Sequence, residues 1–206
     1  MSLRSSLLAR FHCAAATPTK SERTDMNHQK AIRPVKPRIT KPLTFEQVKA
    51  LLSTAKGEMK TLILLAATTG QRLDDLLALR WQDVDLANRV ISFHLAKTRR
   101  AMVMPMTEDA KAHLERLPTG GPDSLVLPGL GNRPAAVVSR QFGKLAKQVG
   151  HAGARFHALR VTFVYQLQTV SATPGDLMAV LDHAKKPSKP SEFSLAKVIA
   201  KLPPLK

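Results

Sequence analysis

The five residues from Thr68 to Arg72 constrain the fold more than any other stretch of this sequence. They read Thr-Thr-Gly-Gln-Arg and separate two apolar segments with helical spacing. Glycine readily adopts the left-handed conformation that follows the last turn of many helices, so Gly70 predicts a helix end. Arg72 then stands at the start of the next helix. The sequence therefore predicts a helical domain with a sharp break, and an arginine presented at that break.

The pattern of apolar residues predicts a mainly α protein with a small antiparallel β-sheet, an α+β class. Thr44 and Gln47 form a capping-box pair that predicts the first helix, with Leu43 and Val48 as its hydrophobic staple. Further helices are predicted at about 59–68, 73–79, 107–116, 135–149, 157–169 and 174–182, and strands at about 90–95 and 101–104. The Gly/Pro-rich stretch 118–134 is predicted to be a loop.

The chain divides by composition into three parts. Residues 1–40 carry eight Lys/Arg and two acids, which predicts a flexible basic arm. Residues 41–184 form the predicted folded domain. Residues 185–206 are a divergent basic tail, in which a Pro/Lys linker precedes apolar residues at helical spacing. That short amphipathic helix needs an apolar surface, either on its own domain or on a neighbouring subunit.

The net charge of +17, from 32 Lys+Arg against 15 Asp+Glu, indicates a polyanionic partner. Nucleic acid of some kind is the favoured partner on charge alone, while a basic surface with no ligand or a ribosome-type RNA binder are the alternatives. A single cysteine, Cys13, excludes a disulfide framework and a cysteine-based zinc cluster. No apolar run reaches the roughly 18 residues that a membrane span needs, so no membrane partner is expected.

A set of basic residues recurs along the predicted domain. Arg72 opens a helix, Lys97 lies in the turn between the two strands, His157 and Arg160 are one turn apart on one helix, and His183 ends the next. Arginine suits phosphate because its planar fork binds two oxygens and keeps its charge. Each residue also has a structural interpretation: Arg72 could pair with a nearby aspartate, a hairpin lysine often serves solubility, and helical histidines are usually structural.

Taken together, these motifs resemble the catalytic domain of the tyrosine recombinase (phage integrase) family. The resemblance covers about residues 40–184 and rests on Thr-Thr-Gly-x-Arg-x-x-Asp, on Lys97-Thr98, on His-x-Leu-Arg-x-Thr-Phe and on Leu-Asp-His. It implies the tyrosine-recombinase catalytic-domain fold and a chain that acts on duplex DNA, alongside other recombinase subunits. It also implies DNA strand cleavage and rejoining without a metal or nucleotide cofactor, in a bacterial, nucleoid-associated, cytoplasmic setting. Organellar import of an Arg/Ser-rich leader is the alternative.

The resemblance also assigns roles within the site. Arg72 and Arg160 would hold the scissile phosphate, and Lys97 would protonate the leaving 5′ oxygen. His157 would accept a proton or donate a hydrogen bond, and His183 would complete the catalytic set. Asp75 would orient groups of the site. Arg99 and Arg100 would contact the DNA backbone, and either could replace Lys97 as the proton donor.

The sequence departs from the family pattern in two places. Asp182 stands where the family usually has the glycine of Leu-Gly-His. The family's nucleophile is a tyrosine about nine residues after the last histidine, but residues 184–193 contain none, and Phe193 lies near its place. The only tyrosine, Tyr165, lies five residues after Arg160 on the same predicted helix. Residues 1–40 are also too short for the family's N-terminal DNA-clamping domain.

We therefore expect a chain that binds DNA and keeps the phosphate clamp but cannot cleave alone. One alternative is a half-enzyme that receives its tyrosine from a partner subunit. Another is a non-enzymatic basic fragment that binds nucleic acid, an inhibitor that occupies recombination sites, or a decayed gene product.

Overall fold

A buried helix forms the centre of the fold. In the computed structural model, residues 40–94, 101–170, 173, 177 and 192–205 are described, and they belong to the compact unit Ile39–Lys206. The helices are α1 (Phe45–Thr54), α2 (Gly57–Thr69), α3 (Leu73–Leu77), α4 (Glu108–Leu114), α5 (Pro128–Gly131), α6 (Ala135–Gln148), α7 (His157–Thr169) and α8 (Glu192–Ile199). A 3₁₀ turn spans Trp81–Asp83.

Helix α2 is buried because it is apolar on nearly every face. Every side chain from Thr61 to Thr69 is buried, so the helix packs on all sides, as expected for a core helix. Its most extensive partner is α7, and α1, α3 and α4 pack against it as well. The end of α2 is therefore held firmly in space, and this end carries the Gly70–Arg72 break.

The sheet is small and antiparallel. Strands β1 (Val84–Asp85), β2 (Val90–His94) and β3 (Ala101–Pro105) follow in the order β1-β2-β3. The register pairs Ile91 with Met104 and Phe93 with Met102. Ile91, Phe93 and Met104 are buried, so one face of the sheet covers the helical core, as the alternation of side chains in a strand requires.

Two contacts anchor the beginning of the folded unit. Thr44 and Gln47 form the capping box at the start of α1 that the sequence predicts. The Leu43 amide donates a hydrogen bond of 2.7 Å to the Thr162 hydroxyl in α7. The first residues of the fold are thus tied to the helix that carries His157 and Arg160.

The fold class predicted from the sequence, mainly α with a small antiparallel sheet, is confirmed. Strand β1, which is only two residues long, is not among the predicted elements, and the short helix α5 lies in the stretch predicted to be a loop. The predicted third helix, 73–79, is two residues longer than α3. Trp81 packs half-buried against the edge of the core. The predicted helix at 174–182 lies almost entirely outside the described residues.

Helix α8 docks on the chain's own domain. Leu195, Val198 and Ile199 are buried, and α8 packs against β3. The Leu205 amide then donates a 2.5 Å hydrogen bond to a carboxylate oxygen of Asp109 in α4. Of the two surfaces considered for this helix, the structure shows the one on its own domain. Within the described part of the chain, no helix combines the length and apolarity that crossing a membrane requires.

Candidate functional site

The candidate site is built at the break between α2 and α3. Gly70 ends α2 with φ 64°, and Arg72 caps α3 in an extended conformation with φ −71° and ψ 154°. The arginine therefore stands at a helix start, as predicted. Its Nη1 atom is buried and has no hydrogen-bond partner among the described residues. A buried cationic N–H without an acceptor is costly unless a ligand supplies one, so this atom is a natural contact for an anion.

Gly70 is required at this break for two separate reasons. Its positive φ favours glycine, since side chains strain the left-handed region. A Cβ at this position would also lie 2.4 Å from Cδ1 of Phe163 in α7. The absence of a side chain therefore lets the end of α2 approach α7 closely enough to join the two parts of the site.

Arg160 adds a hydrogen bond to the apolar contact between α2 and α7. Its guanidinium Nη1 donates a 2.6 Å hydrogen bond to the Gly70 carbonyl, and the residue is only 6% exposed. A cation is well placed there because the carbonyls at a helix C-terminus carry partial negative charge. Arg160 is thus fixed in orientation before any ligand arrives.

His157 lies one helical turn before Arg160 at the start of α7, and both arginines influence its charge. Partial shielding from water, and then the positive charges of Arg160 and Arg72, lower the pKa of the His157 imidazole below its ordinary value. The ring is therefore neutral at neutral pH in the free protein. Arg72 therefore acts electrostatically on a ring that is far from it in sequence.

Asp75 is buried in α3, three residues after Arg72, with 5% exposure. Lys97, Arg99 and Arg100 in the hairpin, and His183, lie outside the described residues. Their assignments remain predictions from the resemblance.

Tyr165 lies at the surface of α7 with 56% exposure. Five residues along an α-helix advance about 7.5 Å and turn about 140°, so its side chain leaves the helix on a different face from Arg160. The structure thus places the chain's only tyrosine away from the Arg160 guanidinium, in agreement with the sequence interpretation.

Two polar residues of this region were not predicted to matter. Gln71 is 1% exposed and lies directly before Arg72, and Thr162 is 2% exposed. The Thr162 hydroxyl bonds the Ala158 carbonyl in addition to Leu43. The sequence contains one indication of the role of Gln71. A glutamine between the helix-ending glycine and the arginine must either be exposed or find hydrogen-bond partners.

Three cavities of about 600, 660 and 610 Å³ are lined by residues other than Arg72, His157 and Arg160. The arginines and the histidine thus lie outside all three. Among the described residues, no cluster of three His, Cys, Asp or Glu side chains could hold a metal ion.

The chain is similar to known integrases in sequence and in structure. The model of the phage integrase family matches residues 41–188. The putative phiRv2 prophage integrase of Mycobacterium tuberculosis is 26% identical over 174 residues, covering 70% of this chain and 44% of the relative. The chain therefore spans less than half the length of that curated relative.

Solved structures share the fold. The integrase from mycobacterium phage Brujita superposes with a TM-score of 0.69 at 20% identity, covering 84% of this chain and 62% of that one. A lambda integrase tetramer bound to a Holliday junction superposes with a TM-score of 0.57 at 20% identity, covering 79% of this chain and 52% of that one.

Proposed function

This chain belongs to the phage integrase family, and we propose that it is a DNA-binding protein of recombination and integration that holds phosphodiesters with Arg72, His157 and Arg160. Two features of the α2–α3 break support the proposal: Arg72 caps α3 there, and Arg160 donates to the Gly70 carbonyl, with both charges acting on His157. One of the guanidiniums has a buried N–H with no acceptor among the described residues. We call these three residues the clamp.

The clamp has the chemistry that a phosphodiester needs. The Nη1 atom of Arg72 can donate to a non-bridging oxygen, and Arg160 adds a second fixed charge. Because the hydrogen bond to Gly70 already orients Arg160, little reorganisation is needed when the anion arrives. In a strand-transfer reaction, negative charge grows on these oxygens, and donors placed in advance stabilise it by several kcal/mol.

Duplex DNA is the partner proposed for this chain. A net charge of +17 favours a polyanion over a small ligand. The lambda integrase that shares the fold is bound as a tetramer to a Holliday junction, which supports DNA and neighbouring subunits as partners of this chain too. Lys97, Arg99, Arg100 and His183 are proposed to complete the contacts to DNA, and Asp75 to orient the arginines.

We further propose that this chain does not cleave DNA by itself. The family reaction needs a tyrosine hydroxyl in line with the clamped phosphate. Tyr165 is the only tyrosine in the 206 residues, and it lies on a different face of α7 from Arg160. The clamp would then bind and polarise a phosphodiester that nothing in this chain attacks.

A covalent-trapping experiment tests this proposal. The chain is incubated with nicked suicide substrates carrying integrase core sites and analysed on denaturing gels, with Tyr165→Phe as the matched control. We expect no band that survives detergent and disappears with protease. An adduct with the wild-type chain would refute the proposal, and its loss in Tyr165→Phe would identify the nucleophile.

A graft tests whether the clamp itself is competent. Residues after Ala184 are replaced by a family-like helix that carries a tyrosine, and we expect cleavage of a suitable site. Arg160→Ala in the graft should lower the rate by a factor of about a hundred to a thousand, as expected for one lost transition-state donor. If the graft folds and binds DNA but does not cleave, the clamp is not a catalytic site and only the DNA-binding proposal stands.

A further inference from the structure

The Gln71 side chain connects the Arg72 turn to the sheet. Its Nε2 donates to the Thr69 carbonyl at 3.2 Å and to the Met102 sulfur in β3 at 3.3 Å. Its backbone amide donates to the Thr69 hydroxyl at 3.4 Å. These contacts hold the residue that immediately precedes Arg72 between the last residue of α2 and a strand that lies far away in sequence.

The oxygen of the Gln71 side-chain amide makes no such hydrogen bond. Its Oε1 atom is buried and accepts no hydrogen bond from the described residues, in a residue that is 1% exposed. A buried amide oxygen without a donor lowers the stability of the fold. An apolar side chain of the same length would fill the space without that cost, so packing alone does not account for glutamine here.

The neighbouring residue shows what glutamine can contribute. Arg72 has a buried Nη1 without an acceptor among the described residues, and its backbone is extended immediately after Gln71. The position of the guanidinium therefore depends on where the Gln71 backbone is held. A displacement of this short turn would move the Arg72 donor relative to Arg160, which is carried by α7 and bonds the Gly70 carbonyl directly before Gln71.

We propose that Gln71 is a positioning residue for Arg72. Its amide fixes the α2–α3 turn to β3 and thereby sets the place where the Arg72 guanidinium meets a DNA phosphate. The inference rests on the proposed function, since it concerns the geometry of the same clamp. A residue that only stabilised the fold would affect stability and DNA binding together, whereas a positioning residue separates them.

The test uses Gln71→Met, which keeps the length of the side chain and removes the amide. Affinity for duplex DNA is measured by fluorescence anisotropy over a range of salt, and stability by thermal unfolding, in the wild-type and Arg72→Ala backgrounds. The matched control is Gln148→Met, at an exposed position at the end of α6.

We expect Gln71→Met to bind DNA about tenfold more weakly, as for partial loss of one charge-assisted hydrogen bond. Its unfolding temperature should change little, because the lost Nε2 bond to the Thr69 carbonyl offsets the removal of the unpaired Oε1. In the Arg72→Ala background, the same substitution should leave affinity unchanged. Wild-type affinity in Gln71→Met, or an equal loss in both backgrounds, would overturn the inference.

A second variant keeps the test decisive if Gln71→Met does not fold. Met102→Leu removes the sulfur that accepts from Gln71 while keeping an apolar side chain of similar volume, and it should weaken DNA binding by a smaller factor, again only when Arg72 is present. No loss in Met102→Leu would overturn the inference. Absence of salt-dependent DNA binding by the wild-type chain would instead refute the proposed function, so the two failures are distinguishable.

Discussion

The histidine of the clamp is kept neutral by its neighbours, and this has consequences for binding. Partial shielding of the ring, followed by the charges of Arg160 and Arg72, lowers the His157 pKa in the free chain. A phosphate placed among the three residues would oppose these effects, because an anion favours the imidazolium form. DNA binding should therefore be accompanied by proton uptake at His157.

The pH dependence of DNA affinity follows from that linkage. Because the pKa is lowered in the free chain and raised in the complex, affinity should increase as the pH falls through the range around the ordinary histidine value of about 6.5. One proton contributes at most about tenfold per pH unit. Anisotropy titrations between about pH 8 and pH 6 measure it.

The variant His157→Gln should flatten that pH profile, while His151→Gln should preserve it. A profile that is equally steep in His157→Gln would show that other groups take up the proton. No residue of the clamp would then change its protonation state on DNA binding.

At the scale of elements, the junction of α2 with α7 depends on Gly70. The glycine provides the left-handed turn, leaves room for Phe163 and offers its carbonyl to Arg160. These three functions coincide in one residue because the C-terminal end of a helix is where the chain turns and where unpaired carbonyls remain. The packing of two helices and the geometry of the clamp are therefore set at the same point.

Replacing Gly70 should be more harmful than replacing another glycine with a similar backbone. Gly70→Ala should cost about 2–4 kcal/mol, from left-handed strain and from overlap with Phe163. Gly57 has φ 54°, and a Cβ there would meet no neighbouring atom within 4 Å, so Gly57→Ala should cost only the strain, about 1–2 kcal/mol. Urea unfolding of both variants gives the comparison.

Equal costs for the two variants would contradict the close packing of α2 on α7. A larger cost for Gly70→Ala, together with weaker DNA binding, would agree with a shared origin of packing and clamp geometry.

Much of this architecture could be read from the sequence, because its signals are local. The capping box of Thr44 and Gln47, the helix end at Gly70 and the alternation in β2 each depend on residues close together in the chain. The two-residue strand β1 was missed because it is too short to show any periodicity. It forms only through pairing with β2, which is a tertiary effect.

The candidate site was predictable in its composition but not in its connections. Arg72, His157 and Arg160 could be selected from motif spacing and family resemblance. The bond from Arg160 to the Gly70 carbonyl and the contact of Gln71 with Met102 join residues 90 and 31 positions apart. No local pattern specifies such contacts, since they arise only when α7 packs on α2 and β3 lies against the α2–α3 turn.

At the scale of the whole molecule, the net charge is large and the tail helix packs on its own domain. Helix α8 packs against β3 of its own domain, so Leu195, Val198 and Ile199 are buried within the chain. The excess of 32 Lys+Arg over 15 Asp+Glu is then the dominant electrostatic property of the chain. General attraction of a basic protein for DNA must therefore be separated from binding at the clamp.

The dependence of DNA affinity on salt separates them. The wild-type chain should show a slope of log K against log[salt] of several units, and Arg72→Ala should reduce its magnitude by about 0.9, the contribution of one phosphate contact. Arg116→Ala removes the same charge beside His113, in a cavity between α1, α2 and α4, and should leave the slope close to that of the wild type. A wild-type slope near zero, or equal losses in the two variants, would contradict the account that Arg72 belongs to a phosphate clamp.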